Sequence, residues 1–236
     1  HDFVLAGSID PTGELFAPMG ALDYGEALAT LMAQAEALAA GGADLLWIET
    51  MSSLEEIKAA IEAAAAVVLP AATCMTFDTA ARPMMGITPA DFAGQSTAFG
   101  AAYIGANCGI GPAELLHSVS NILVDAKVPV IAKGNCGIPT YVDGAIHYHG
   151  TPALMAAYVC LARDAGVTII GGCSGTTEVY VRAMRAALES EPRCLFDQEA
   201  AYAALGVAWK DVPTSDNAGD TKQATGRRRG RRPDRG

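Results

Sequence analysis

The stretch AAYIGANCGIGPAELLHSVSNIL, residues 101–123, decides the fold. Ala102–Asn107 is a short apolar run closing on a polar residue, as a buried strand does when it reaches the sheet edge. Glycines follow, and Pro112 then opens a helix on which Leu115, Leu116, Val119, Ile122 and Leu123 recur at helical spacing. The reading is strand, reactive turn, amphipathic helix.

The same unit recurs along the chain. Phe3–Ser8 reads as a strand, and Tyr24–Ala40 as a helix stopped by Gly41-Gly42. Leu45–Glu49 is a strand ending in a carboxylate, and Ser52 and Ser53 with Glu55 and Glu56 form a capping signal for a helix through Ala66. Ala71–Phe77 precedes a helix opened by Thr88-Pro89. Val130–Asn135 is a strand, Ile138–Gly150 a loop, and Thr151-Pro152 starts a helix ending at Gly166. Val167–Gly172 and a helix over Glu178–Leu188 complete six β-then-α units. Continuously apolar strands belong to parallel sheets covered by helices.

A doubly wound sheet and a (β/α)8 barrel both fit that order. The polar and reactive residues gather at strand C-termini: Ser8, Glu49, Asp78, Asn107-Cys108, Asn135-Cys136 and Cys173-Ser174. A TIM barrel brings all its strand ends to one mouth, so the barrel is the expected fold. Six units make it incomplete, and because the chain opens on His1 rather than Met, a truncation of two N-terminal βα units is expected. The barrel domain is placed at residues 1–212 and a disordered basic tail at 213–236.

Composition narrows the classes. At 51% hydrophobic and 18% charged, the 236 residues can bury a full core. No long uninterrupted apolar run suggests a membrane span, and no basic-then-apolar leader is seen. The net charge is -10 although residues 222–236 are basic, with Lys222, Arg227, Arg228, Arg229, Arg231, Arg232 and Arg235 against Asp234. The body is therefore strongly acidic and ill suited to nucleic acid, whose phosphates would meet like charge. Six dispersed cysteines do not resemble a disulfide framework, and a reducing cytoplasm is the expected compartment.

Cys108, Cys136 and Cys173 each follow one of three consecutive strands. Neighbouring strands lie about 4.8 Å apart, so thiols at equal height can approach one ion, and zinc suits soft thiolates. Buried thiols that never meet are the simpler alternative. Cys74, Cys160 and Cys194 read as core or surface thiols, and His147 and His149 as loop residues.

The segments GANCGIGPAELL (105–116), NCGIPTYVDG (135–144) and IIGGCSGTTE (169–178) resemble the homocysteine S-methyltransferase family, as do GSIDPTGELFAPMGAL (7–22) and ADLLWIET (43–50). The resemblance covers nearly all of residues 3–210, in order, and is strongest to bacterial betaine–homocysteine methyltransferase-like proteins. It implies a (β/α)8 barrel that holds zinc through three cysteines. Cys108 matches the first and Cys173 the second, but Ser174 stands at the third position, where a hydroxyl is a much weaker ligand. Cys136, where relatives carry a small residue, is the candidate replacement.

The resemblance further implies methyl transfer to the sulfur of homocysteine, forming methionine. Glu49 matches the acid that binds the substrate amino group, and Asn107 and Asn135 are candidate substrate contacts. The implied donor is betaine or a similar small molecule. Thr50 after Glu49, where betaine enzymes of the mammalian type carry tyrosine, is the residue of the cobalamin-linked branch and keeps a corrinoid protein partner open. The competing expectation is a non-catalytic remnant or binding protein of the same family, disabled by Ser174 and by the missing N-terminal units.

Overall fold

The computed structural model describes residues 3–77, 86–137, 139–142 and 144–208. Six strands, β1 (Ala6–Ile9), β2 (Leu45–Met51), β3 (Ala71–Met75), β4 (Tyr103–Cys108), β5 (Val130–Gly134) and β8 (Ile169–Gly172), form one sheet in that order. Every pairing is parallel. Helices α1 (Tyr24–Ala40), α2 (Leu54–Ala66), α3 (Pro89–Phe99), α4 (Pro112–Asp125), α5 (Pro152–Ala165) and α6 (Glu178–Ser190) follow the six strands in turn. The architecture is an incomplete (β/α) TIM barrel, with β1 and β8 at the edges of the described sheet.

Local chemistry starts the helices where the sequence places them. Ser53, Thr88 and Thr151 accept hydrogen bonds from the backbone N–H three residues on, satisfying donors that a first turn leaves open. Pro89, Pro112 and Pro152 occupy first-turn positions, where their missing N–H costs nothing.

Two apolar layers flank the sheet. The larger, between strands and helices, includes the fully buried Ile48, Ile57, Phe92, Ile104 and Ile122; each such side chain contributes about 2 kcal/mol by leaving water. The smaller lies inside the barrel, where Ala72, Cys74 and Ile131 pack with Leu45, Trp47, Tyr103 and Ile169. Strand side chains alternate between faces. The parity that turns these residues inward therefore also turns in Glu49, Asn107, Lys133 and Cys173.

Two elements depart from expectation. The segment 138–150, read as a loop, carries an antiparallel hairpin of β6 (Pro139–Val142) and β7 (Ala145–Tyr148), with Thr140 opposite His147. Its signal was the Asp143-Gly144 dipeptide between two short runs. A further helix, α7 (Gln198–Leu205), is capped by Asp197 and packs on α4 and α5. Asp78 and the basic tail lie outside the described residues.

Candidate active site

The inner face carries the chemistry up to the mouth. Glu49 at the end of β2 accepts from Ser8 Oγ at 3.0 Å through Oε1, and from the Lys133 ammonium of β5 through Oε2. Asn107 of β4, fully buried, lies between this pair and the thiols. Its Nδ2 reaches Glu49 Oε2 at 3.5 Å, Thr50 Oγ1 at 2.9 Å and Cys108 Sγ at 3.3 Å, while its Oδ1 accepts from Thr50 N at 2.8 Å.

Cys108 ought to face outward, since its neighbour Asn107 faces in. It turns inward because its backbone is left-handed, with φ 57°, and Thr50 does the same at φ 63°. Left-handed backbone costs a side-chain-bearing residue about 1–2 kcal/mol. The Asn107 clasp on Thr50 and Cys108 offsets that strain, and a register shift in β2 after Ile48 accommodates it. The result sets Cys108 Sγ 3.1 Å from Cys173 Sγ.

That contact splits the acidities of the two thiols. The hydrogen bond with Cys108 brings the Cys173 pKa down to about 6; the Lys133 charge and the Ser174 N–H add to the effect. Cys108 is pushed the other way by the same hydrogen bond and by burial. The pair is thus one thiolate and one thiol near neutrality. Burial disfavours the Lys133 charge, but the pairing with Glu49 outweighs it and raises the lysine above its ordinary value.

Cys136 stands apart. Its side chain is fully buried in the layer between sheet and helices, and its Sγ faces Thr176 Oγ1 at 3.3 Å. Burial raises its pKa and keeps it a neutral thiol. Its backbone still fastens the mouth: Cys136 N donates to Ser174 O at 3.0 Å, and Gly150 N donates to Cys136 O at 2.7 Å. Asn135 is committed to local contacts, donating to Gly109 O and accepting from Ser174 N, both at 2.9 Å. His149 Nε2 lies 2.8 Å from Thr140 Oγ1, a contact within the hairpin.

Two convergent thiols are a chemically suitable pair of ligands for a soft cation. Among the described residues, no group of three or more His, Cys, Asp or Glu side chains is arranged to hold a metal ion. The fit is that of a two-thiol site with Ser174 next in the chain. Lys133 is the participant that motif reading did not single out; its signal was a lone cation inside the apolar run VPVIAKG, residues 128–134.

The homocysteine S-methyltransferase profile matches residues 1–188. The chain belongs to the homocysteine S-methyltransferase family. It is 26% identical over 195 residues to the methionine synthase of Mycobacterium leprae and 28% identical over 160 residues to that of Mycobacterium tuberculosis. These alignments cover 80% and 65% of the chain but only 16% and 13% of the two relatives, so the chain spans a small part of their length. In fold it is similar to the apo homocysteine methyltransferase MmuM from Escherichia coli, with TM-score 0.59, 23% identity, and coverage of 78% of this chain and 62% of MmuM. The metallated form of MmuM matches with TM-score 0.52 and 24% identity, over 67% of this chain and 51% of MmuM. Among the described residues, no helix is long and apolar enough to cross a membrane.

Proposed function

We propose that the chain transfers a methyl group from an activated donor to the sulfur of homocysteine, forming methionine. One observation carries this reading: the Asn107 amide touches both the Glu49 carboxylate and the Cys108 sulfur. A carboxylate for an ammonium and a thiol pair for a sulfur-bound metal therefore lie within the reach of one short amino thiol. Family membership and the methionine synthase relatives support the same substrate.

Cys108 and Cys173 would hold the zinc, with Ser174 at the third position; Cys136, whose sulfur faces Thr176 in the helix-side core, is not drawn on. A bound zinc ion would lower the pKa of the homocysteine thiol and present it as a thiolate. Glu49 binds the substrate ammonium by a charge-assisted contact. Asn107 and Asn135, held by their own hydrogen bonds, keep Cys108 and Ser174 in place. Thr50, left-handed beside Cys108, shapes the approach of the donor. Betaine or a similar small methyl donor is one candidate; Thr50 and the methionine synthase relatives favour a methylated corrinoid protein. Reduced thiols suit a cytoplasmic setting.

A second reading, a binding protein without turnover, draws on Ser174 and the absence of a three-residue donor cluster among the described residues. The test is methionine formation by zinc-loaded chain with betaine, S-methylmethionine and methylcobalamin in turn. Turnover with any donor that disappears in Cys108→Ser supports the methyltransferase. Metal-loaded protein that binds homocysteine and turns over none of them supports the second reading.

A further inference from the structure

We propose that Lys133 is the anchor for the substrate α-carboxylate, so that the Glu49–Lys133 pair forms a receptor for the two charges of an α-amino acid. The inference rests on the assignment of Glu49 to the ammonium. Lys133 Nζ meets Glu49 Oε2 and lies 5.8 Å from the centroid of the Trp47 ring. An ammonium has three protons, and Glu49 is the one hydrogen-bond partner found for this one among the described residues. The lysine side chain is 25% exposed and that of Glu49 14%. The cation is thus the more open half of the pair.

Charge arithmetic selects the ligand. A zwitterion enters a neutral ion pair, its ammonium takes Glu49, and the released lysine takes the carboxylate. One ion pair becomes two, inside a partly desolvated mouth where such contacts are stronger than on a surface. An amine lacking the carboxylate brings a second cation to Glu49 and gives Lys133 no new partner. Lys133 thereby discriminates α-amino acids from amines of the same length. Its four-carbon stem supplies the movement, and its place on β5, level with Asn107 on β4, keeps it at the height of the thiols.

The experiment is calorimetric titration of the full zinc-loaded chain with L-homocysteine and with 3-aminopropane-1-thiol, which keeps the amine and thiol and lacks the carboxylate. Wild type is expected to favour homocysteine by about tenfold, the scale of one charge-assisted contact. Lys133→Met should lose that preference while binding the amine as tightly as wild type or tighter, because Glu49 is freed. Lys133→Arg should restore the preference, and it carries the test if the Met variant does not fold by circular dichroism. Equal affinity of wild type for both ligands, or a folded Lys133→Met chain weakened alike for both, overturns the inference and leaves Glu49 standing. Wild type that binds neither ligand overturns the Glu49 assignment and this one with it.

Discussion

Asn107 and Thr50 clasp each other across two strands: the Asn107 side chain accepts from Thr50 N at 2.8 Å and donates to Thr50 Oγ1 at 2.9 Å. The strand between them, β3, reaches the same asparagine through Thr76 Oγ1, which donates to Asn107 O at 3.1 Å. One buried residue therefore ties three strand ends, through its side chain to Thr50 and through its backbone carbonyl to Thr76, and its side chain holds the left-handed backbone at Thr50 and Cys108.

Asn107→Leu should expose this dependence. It leaves the Thr50 N–H without its acceptor and releases Cys108. Unpaired buried donors cost about 1–3 kcal/mol, so the variant should unfold at lower denaturant than wild type by roughly 2 kcal/mol. Urea unfolding measures the loss, and a variant as stable as wild type would show that the clasp carries no load.

The thiol pair has a pH signature. Cys173 is held at about 6 by the hydrogen bond with Cys108, with the Lys133 charge and the Ser174 N–H in support. It is thiolate above that pH and thiol below it, so iodoacetamide labelling should climb through pH 6 rather than near the 8.5 of an ordinary cysteine. Cys108→Ala removes that hydrogen bond and should move the midpoint upward. Peptide mapping of labelled metal-free protein reads both values.

Metal content separates the candidate ligands. Cys108→Ser and Cys173→Ser should each lower zinc retention after chelator washing by at least about tenfold. Cys136→Ala should retain the wild-type level, because its sulfur faces Thr176 and the helix-side core. Ser174→Cys should tighten zinc by adding a thiolate at the third position. Elemental analysis and chelator competition provide the numbers; loss of zinc in Cys136→Ala would make that residue a ligand.

Gly150 tests the packing around the mouth. A Cβ there would sit 2.5 Å from the Cys136 carbonyl oxygen, and backbone atoms cannot yield as a flexible side chain can. Gly150→Ala should therefore destabilise the chain by about 2 kcal/mol and displace the segment that fastens Cys136 to Ser174. Thermal unfolding, followed by zinc titration of the surviving fold, measures each part.

Much of this was legible in the chain. Capping residues Ser53, Thr88 and Thr151 mark their helices correctly because a cap is a contact between residues three apart. The six apolar runs mark their strands, since helices cover one face of the sheet and apolar side chains fill the lower part of the other. The hairpin at 139–148 reads as a loop in sequence because its strands are short and largely exposed, so apolar periodicity is weak there.

Local pattern and resemblance, both readable from the amino-acid order alone, determined the barrel class, the strand-end location of the chemistry and the roll of Glu49, Asn107, Cys108, Asn135 and Cys173. Tertiary structure decided which of them meet. Only the curled sheet brings Cys108 and Cys173 into contact across 65 residues, buries Cys136 on the other face, and sets Lys133 against Glu49. The reason is physical: strand parity and a single left-handed residue choose the face a side chain points to. Both depend on pairing between distant strands, which no local stretch encodes.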